Sequence, residues 1–170
     1  VIDEIKRSAG TSSVSTPELV ELLVRGQGVP QSYRIERKGG TVRVVGADLA
    51  GLLYGGLDVA EAIRLGTFPA LKSGEHQPYI AQRGIKLNIP LDLRTPSYSD
   101  NSDAAQANIP EMWSREFWRE FFDEMARDRF NVLSLWSLNP FPSIVKVPEY
   151  PDVALPDVLR GRRAVFDENF

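Results

Sequence analysis

At 170 residues, with 42% hydrophobic and 25% charged side chains and a formal charge of −3, the chain has the make-up of a globular protein, large enough for one domain or two small ones. Its lysines and arginines are scattered among acids, which excludes nucleic acid as an expected partner, and no apolar run approaches the roughly 20 residues of a membrane-spanning helix, which excludes the membrane. With no cysteine and the single histidine His76, disulfides, thiol nucleophiles and multi-histidine or cysteine-based metal centres are excluded, and no metal or cofactor is expected.

The first residues, Val1 to Arg7, lack the apolar stretch of a signal peptide, and the chain does not open on Met. An export signal ahead of Val1 would favour a secreted or periplasmic protein; the sequence itself leaves the compartment open. Thr16 followed by Pro17 and then Leu19, Val20, Leu22 and Leu23 predicts a short helix ending near Gly26 or Gly28. Tyr33 to Arg37 and Thr41 to Val45 alternate apolar and polar around Lys38-Gly39-Gly40, the pattern of a β-hairpin. From Asp48 the spacing becomes helical, with Leu49, Leu52, Leu53, Leu57, Ala60 and Ile63 on one side and Gly66 as the stop. Gly51, Gly55 and Gly56 each cost that helix roughly 1 kcal/mol relative to Ala, so their presence predicts close approach of its backbone to a sheet. A phosphate-cradling loop there would lack the lysine and Ser/Thr it needs.

Residues 66–78, with Gly66, Pro69, Gly74 and Pro78, have the composition of a linker, and His76 reads as one of its solvated residues. The expected division is an accessory α+β domain over 1–75 and a second domain over 79–170. That second part opens with a strand over Ile80–Asn88, followed by a long polar loop from Pro90 to Glu111. Ser114 then caps a helix whose apolar face is Phe117, Trp118, Phe121, Phe122 and Met125. A second strand over Asn131–Asn139 follows, apolar enough to be buried on both faces. Strand, helix and strand in that order imply a parallel crossover, as at the start of a (β/α)8 barrel, whose ligands bind at the carboxyl ends of the strands. Polar residues sit there: Asn88 after the first strand and Asn139 after the second.

Two stretches carry a resemblance. Gly46-Ala47-Asp48 and the helix with Gly51-Leu52-Leu53-Tyr54-Gly55-Gly56-Leu57, together with Arg83-Gly84-Ile85-Lys86-Leu87-Asn88, resemble the N-terminal accessory domain and first barrel strand of glycoside hydrolases related to the family-20 β-hexosaminidases and family-67 α-glucuronidases. The resemblance implies a zincin-like accessory domain without metal residues, followed by the first βαβ segments of an incomplete barrel. It further implies that Arg83 contacts a sugar hydroxyl. Asn88 stands where that family has Asp, and Ser134 and Trp136 stand where it has histidines.

The expected substrate-side residues are therefore Arg83, Asn88, Trp136 and Asn139: a guanidinium fork and two amides for hydroxyls or a uronate, and an indole face for a sugar ring. The competing reading makes Arg83 a structural ion-pair partner and Trp136 core. Hydrolysis of a glycosidic bond usually needs two carboxyl groups, about 5–5.5 Å apart for retention or about 6.5–9.5 Å for inversion, unless the substrate's acetamido group is the nucleophile, and Asp92, Asp100, Asp103, Glu149 and Asp152 form no convincing pair in sequence. No catalytic residue is expected within this chain. Because 79–170 falls far short of the roughly 250 residues of a whole barrel, the remaining barrel segments of a longer hydrolase are the expected partner, beside a carbohydrate substrate. The alternative is a non-catalytic carbohydrate-binding or scaffold protein.

Overall fold

Alternation in Tyr33–Lys38 and Thr41–Gly46 produces two antiparallel strands, β2 and β3, in register from Tyr33 opposite Gly46 to Lys38 opposite Thr41. The turn closes through Gly39 in the left-handed region at φ 59°. The computed structural model describes residues 1–13, 15–89, 109–136 and 148–153, and the chain divides into two units, Val1–Arg83 and Gly84–Phe170.

In the first unit Leu19–Val24 is a strand, β1, running parallel to β3, and not the helix its leucine spacing predicts. The six residues of Leu19–Val24 are short for a helix, whose stability in a protein comes mostly from packing. As a strand their amides pair along β3, and Val20 and Leu22, two apart, both pack on the core. The expected linker also contributes structure: Gly74–His76 forms strand β4, antiparallel to β2, which gives a four-stranded mixed sheet of order β1-β3-β2-β4. The turn-rich composition is real, but Arg37 draws the segment back onto the sheet. Its guanidinium lies 4.6 Å from the Phe68 ring centroid and donates to the carbonyls of Phe68, Pro69 and Leu71 at 3.0, 2.9 and 3.2 Å.

Helix α1 spans Ile2–Thr11, an element whose weakly apolar sequence gave little signal, and packs along helix α2, Leu49–Arg64. Asp48 caps α2 by accepting from the Gly51 amide at 2.7 Å. Gly66 at φ 69° follows its end. Ile35, Val42 and Val44 of the sheet meet Val59 and Ile63 of α2 in a core sealed by Ile5 and Phe68. Leu49, expected on that side, is 77% exposed.

Of the three glycines of α2, Gly55 makes the expected approach to the sheet, whereas Gly51 meets the loop before β2 and Gly56 the residue before α1. A Cβ at Gly55 would lie 2.5 Å from Val44 Cγ1 and 2.7 Å from Tyr33 Cδ2, one at Gly51 would run into the Ser32 carbonyl, and one at Gly56 into the Val1 side chain. The opposite face of the sheet is charged: Arg43 donates to Glu21 at 2.6 Å and lies 3.6 Å from Glu36. The hydrogen bond to Glu21 is the chief cause holding the Arg43 pKa above its ordinary value.

The second unit contains strand β5 (Gly84–Asn88), helix α3 (Ile109–Met112), helix α4 (Arg115–Arg127) and strand β6 (Val132–Trp136). β5 and β6 pair in parallel, Gly84 opposite Val132 through Asn88 opposite Trp136. Ser114 caps α4 by accepting from the Phe117 amide at 3.2 Å. Met125 is buried, whereas Phe122 of the expected core face remains 49% exposed among the described residues. The expected loop over 90–108, with Asp92, Tyr98, Asp100 and Asp103, lies outside the described residues, as do 137–147 and 154–170.

The glycine packing predicts opposite signs for two similar substitutions. Gly51→Ala gains helix propensity of roughly 1 kcal/mol but meets backbone, and should destabilise by about 1–3 kcal/mol net. Gly10→Ala, with nothing within 4 Å of the new methyl, should stabilise by about 0.5–1 kcal/mol. Urea unfolding of both variants measures this, and stabilisation by both would remove the close-approach argument.

Candidate functional site

Alternation decides which residues share a face of the β5–β6 pair. Ile85, Leu87, Leu133 and Leu135 stand on one side; Gly84, Lys86, Val132, Ser134 and Trp136 stand on the other, with Asn88 at the register position beside Trp136. Both strands are parallel, so Asn88 and Trp136 come together at their carboxyl ends. The ladder continues one step beyond, where the Ile89 amide donates to the Trp136 carbonyl at 2.8 Å. Gly84, at the other end, lets the strands meet: a Cβ there would lie 2.9 Å from Val132 Cβ.

Lys86 adds a residue the sequence reading did not single out. Its Nζ lies 5.6 Å from the Trp136 ring centroid, a cation over an indole. The signal was present, because Lys86 stands two residues before Asn88 on the same strand face. The carboxyl end of the pair thus combines an aromatic surface, an ammonium and an asparagine position.

Arg83 stands elsewhere. It precedes β5, at the amino end of the strand, whereas Asn88 ends it. Its guanidinium donates to Gln31 Oε1 at 2.9 Å and to the Ile80 carbonyl, and sits 5.4 Å from the Tyr54 ring centroid, all within the first unit. Gln31 also donates from Nε2 to the Ala81 carbonyl at 2.9 Å. These contacts, with an amide, a backbone carbonyl and an aromatic ring, give Arg83 a structural part. Asn139 lies outside the described residues, and Glu149 and Asp152 are exposed. Among the described residues no group of three His, Cys, Asp or Glu is arranged to hold a metal, and no helix is long and apolar enough to cross a membrane.

No family model and no curated protein matches the sequence. Solved structures do. A glycoside hydrolase family 138 enzyme that targets the pectin rhamnogalacturonan II superposes with a TM-score of 0.68 at 22% identity over 91% of this chain. A glycoside hydrolase family 20 β-N-acetylglucosaminidase matches more loosely, with a TM-score of 0.45 at 22% identity over 78% of the chain. The first likeness is one of fold. The chain spans 19% of the family 138 enzyme and 24% of the acetylglucosaminidase.

The Arg83 contacts predict that Arg83→Ala lowers the unfolding free energy by about 1–2 kcal/mol, the usual size for a charge-assisted hydrogen bond that is half-exposed. In a double-mutant cycle with Gln31→Ala the two changes should couple by at least about 0.5 kcal/mol. Strict additivity with no loss of stability would return Arg83 to the list of substrate contacts.

Proposed function

We propose that this chain is the opening part of a longer glycoside hydrolase, an α+β accessory domain followed by the first strands of a (β/α)8 barrel. The observation that carries the reading is the parallel β5–β6 pair, its strands separated in sequence by α4, with Asn88, Lys86 and Trp136 gathered at or toward the carboxyl ends. That is the end of a barrel at which substrates bind. The fold likeness to the family 138 enzyme over 91% of the chain supports it, and pectic rhamnogalacturonan becomes a substrate class to try first.

In this reading the accessory sheet is zincin-like in outline and metal-free, with its boundary to the barrel between the 75–79 read from composition and Arg83. Trp136 stacks on a sugar ring, and Asn88 and Asn139 meet its hydroxyls. The carboxyl groups that break the bond are supplied by later barrel strands, so the 170-residue chain is silent by itself. Hexosaminide and glucuronide linkages remain the two that the sequence resemblance nominates.

The test is hydrolysis of nitrophenyl glycosides, N-acetylhexosaminides and glucuronides among them, and of pectic rhamnogalacturonan oligosaccharides. The full-length gene product and the 170-residue chain are assayed side by side. Turnover by the long form alone is expected, and Trp136→Ala in that form should raise KM about tenfold, the usual loss for removing one ring stack of roughly 1–3 kcal/mol. Turnover by neither would transfer the assignment to a carbohydrate-binding or scaffold protein. Turnover by the short chain would overturn the placement of the catalytic acids.

A further inference from the structure

The first unit holds a cleft of about 420 Å³ at the end of its sheet, where β1, β3 and β4 finish and β2 begins. Its volume falls within the roughly 300–1,000 Å³ of small-molecule sites. Its walls include Arg25, Gln27, Tyr33, His76, Gln77 and the paired Arg34 and Glu75.

Three features of those walls point to one chemistry. Register sets Tyr33 opposite His76, and their rings lie parallel within 6° at 4.8 Å between centroids. Tyr33 is fixed from behind, its hydroxyl donating to Asp58 and its ring against Gly55 of α2, while His76 is the exposed member of the stack. The stacked pair lines the cleft with its exposed member supported by a fixed one. Charge is the second feature. Glu75 is taken by Arg34, which also lies 3.7 Å from Glu36. Arg25 is exposed, its backbone amide is held by the Gly46 carbonyl at 2.9 Å, and among the described residues its guanidinium has no hydrogen-bond or ion-pair partner. The cleft therefore has one spare positive charge of fixed origin. Third, the amides of Gln27 and Gln77 supply both donors and acceptors.

A flat face for ring C–H groups, a guanidinium fork for a carboxylate and amides for hydroxyls are together what a pyranose bearing a carboxyl group requires. We propose that this cleft binds a uronic-acid unit of an acidic polysaccharide. The site lies wholly in the first unit and is independent of the β5–β6 face, so it stands or falls apart from the hydrolase reading.

Saturation-transfer NMR on the 170-residue chain tests it, with sodium galacturonate, galactose and sodium acetate as probes. Galacturonate should receive saturation at its ring protons, and galactose and acetate should each bind at least about tenfold more weakly, the scale set by one charge-assisted bidentate contact. Arg25→Ala should weaken galacturonate by about tenfold as well. His76→Ala should abolish transfer to the ring protons. Should Arg25→Ala fail to fold by circular dichroism, Arg25→Gln carries the same comparison. Equal binding of galactose would overturn the acidic specificity, and equal competition by acetate would reduce the site to a carboxylate spot. Loss on Trp136→Ala with Arg25→Ala unaffected would move the sugar to the β5–β6 face. Absence of transfer to galacturonate would remove the site altogether.

Discussion

The first unit turns on one carboxylate. Asp48 accepts from the Gly51 amide at 2.7 Å, which caps α2, and from the Gln31 amide at 2.8 Å, which fixes the loop entering β2. Charge-assisted bonds of this kind are roughly twice as strong as neutral ones. Gln31 is held at φ 66°, an uncommon backbone for a residue other than glycine, and from there its side chain reaches Arg83 and Ala81. One side chain thus sets the start of the helix, the start of the central hairpin and, through Gln31, the segment that leads into β5.

That geometry also explains the glycines. With the start of α2 fixed against the loop before β2, Gly51 comes onto the Ser32 carbonyl and Gly55 onto Val44 and Tyr33. Close approach lets a short helix bury Val59 and Ile63 against Ile35, Val42 and Val44 with little space lost. It also seats Tyr33, whose hydroxyl donates to Asp58 and whose ring supports His76. The core and the cleft are two sides of the same packing.

Local pattern was legible where local pattern decides. The hairpin announced itself by alternation around Gly39-Gly40, α2 by its cap and spacing, and α4 by Ser114 and its aromatics. β1 did not, because Val20 and Leu22 satisfy a helix and a strand equally and only β3, some twenty residues on, distinguishes them. β4 is three residues long and is drawn to the sheet by β2 and by the Ser73 hydroxyl, which accepts from the Arg37 amide at 2.8 Å; no run of three residues carries a period. The contact of Arg83 with Gln31 gave no local signal for a similar reason: the two are 52 positions apart. Asn88 and Trp136 were brought together because parallel pairing places the ends of successive strands side by side, a rule that depends on order and not on detail.

Every strand of the four-stranded sheet finds its partners between Leu19 and His76. A chain leaving the ribosome at about 5–20 residues per second can therefore complete that sheet within seconds of His76 clearing the exit tunnel, before β6 has been made. β5 has no such independence, since its only pairing partner among the described residues is β6, more than forty residues later. The first unit is then already folded, with Arg83 anchored, while the apolar strands that follow are still waiting for their neighbours, and its closure shortens the stretch of nascent chain exposed to wrong pairing.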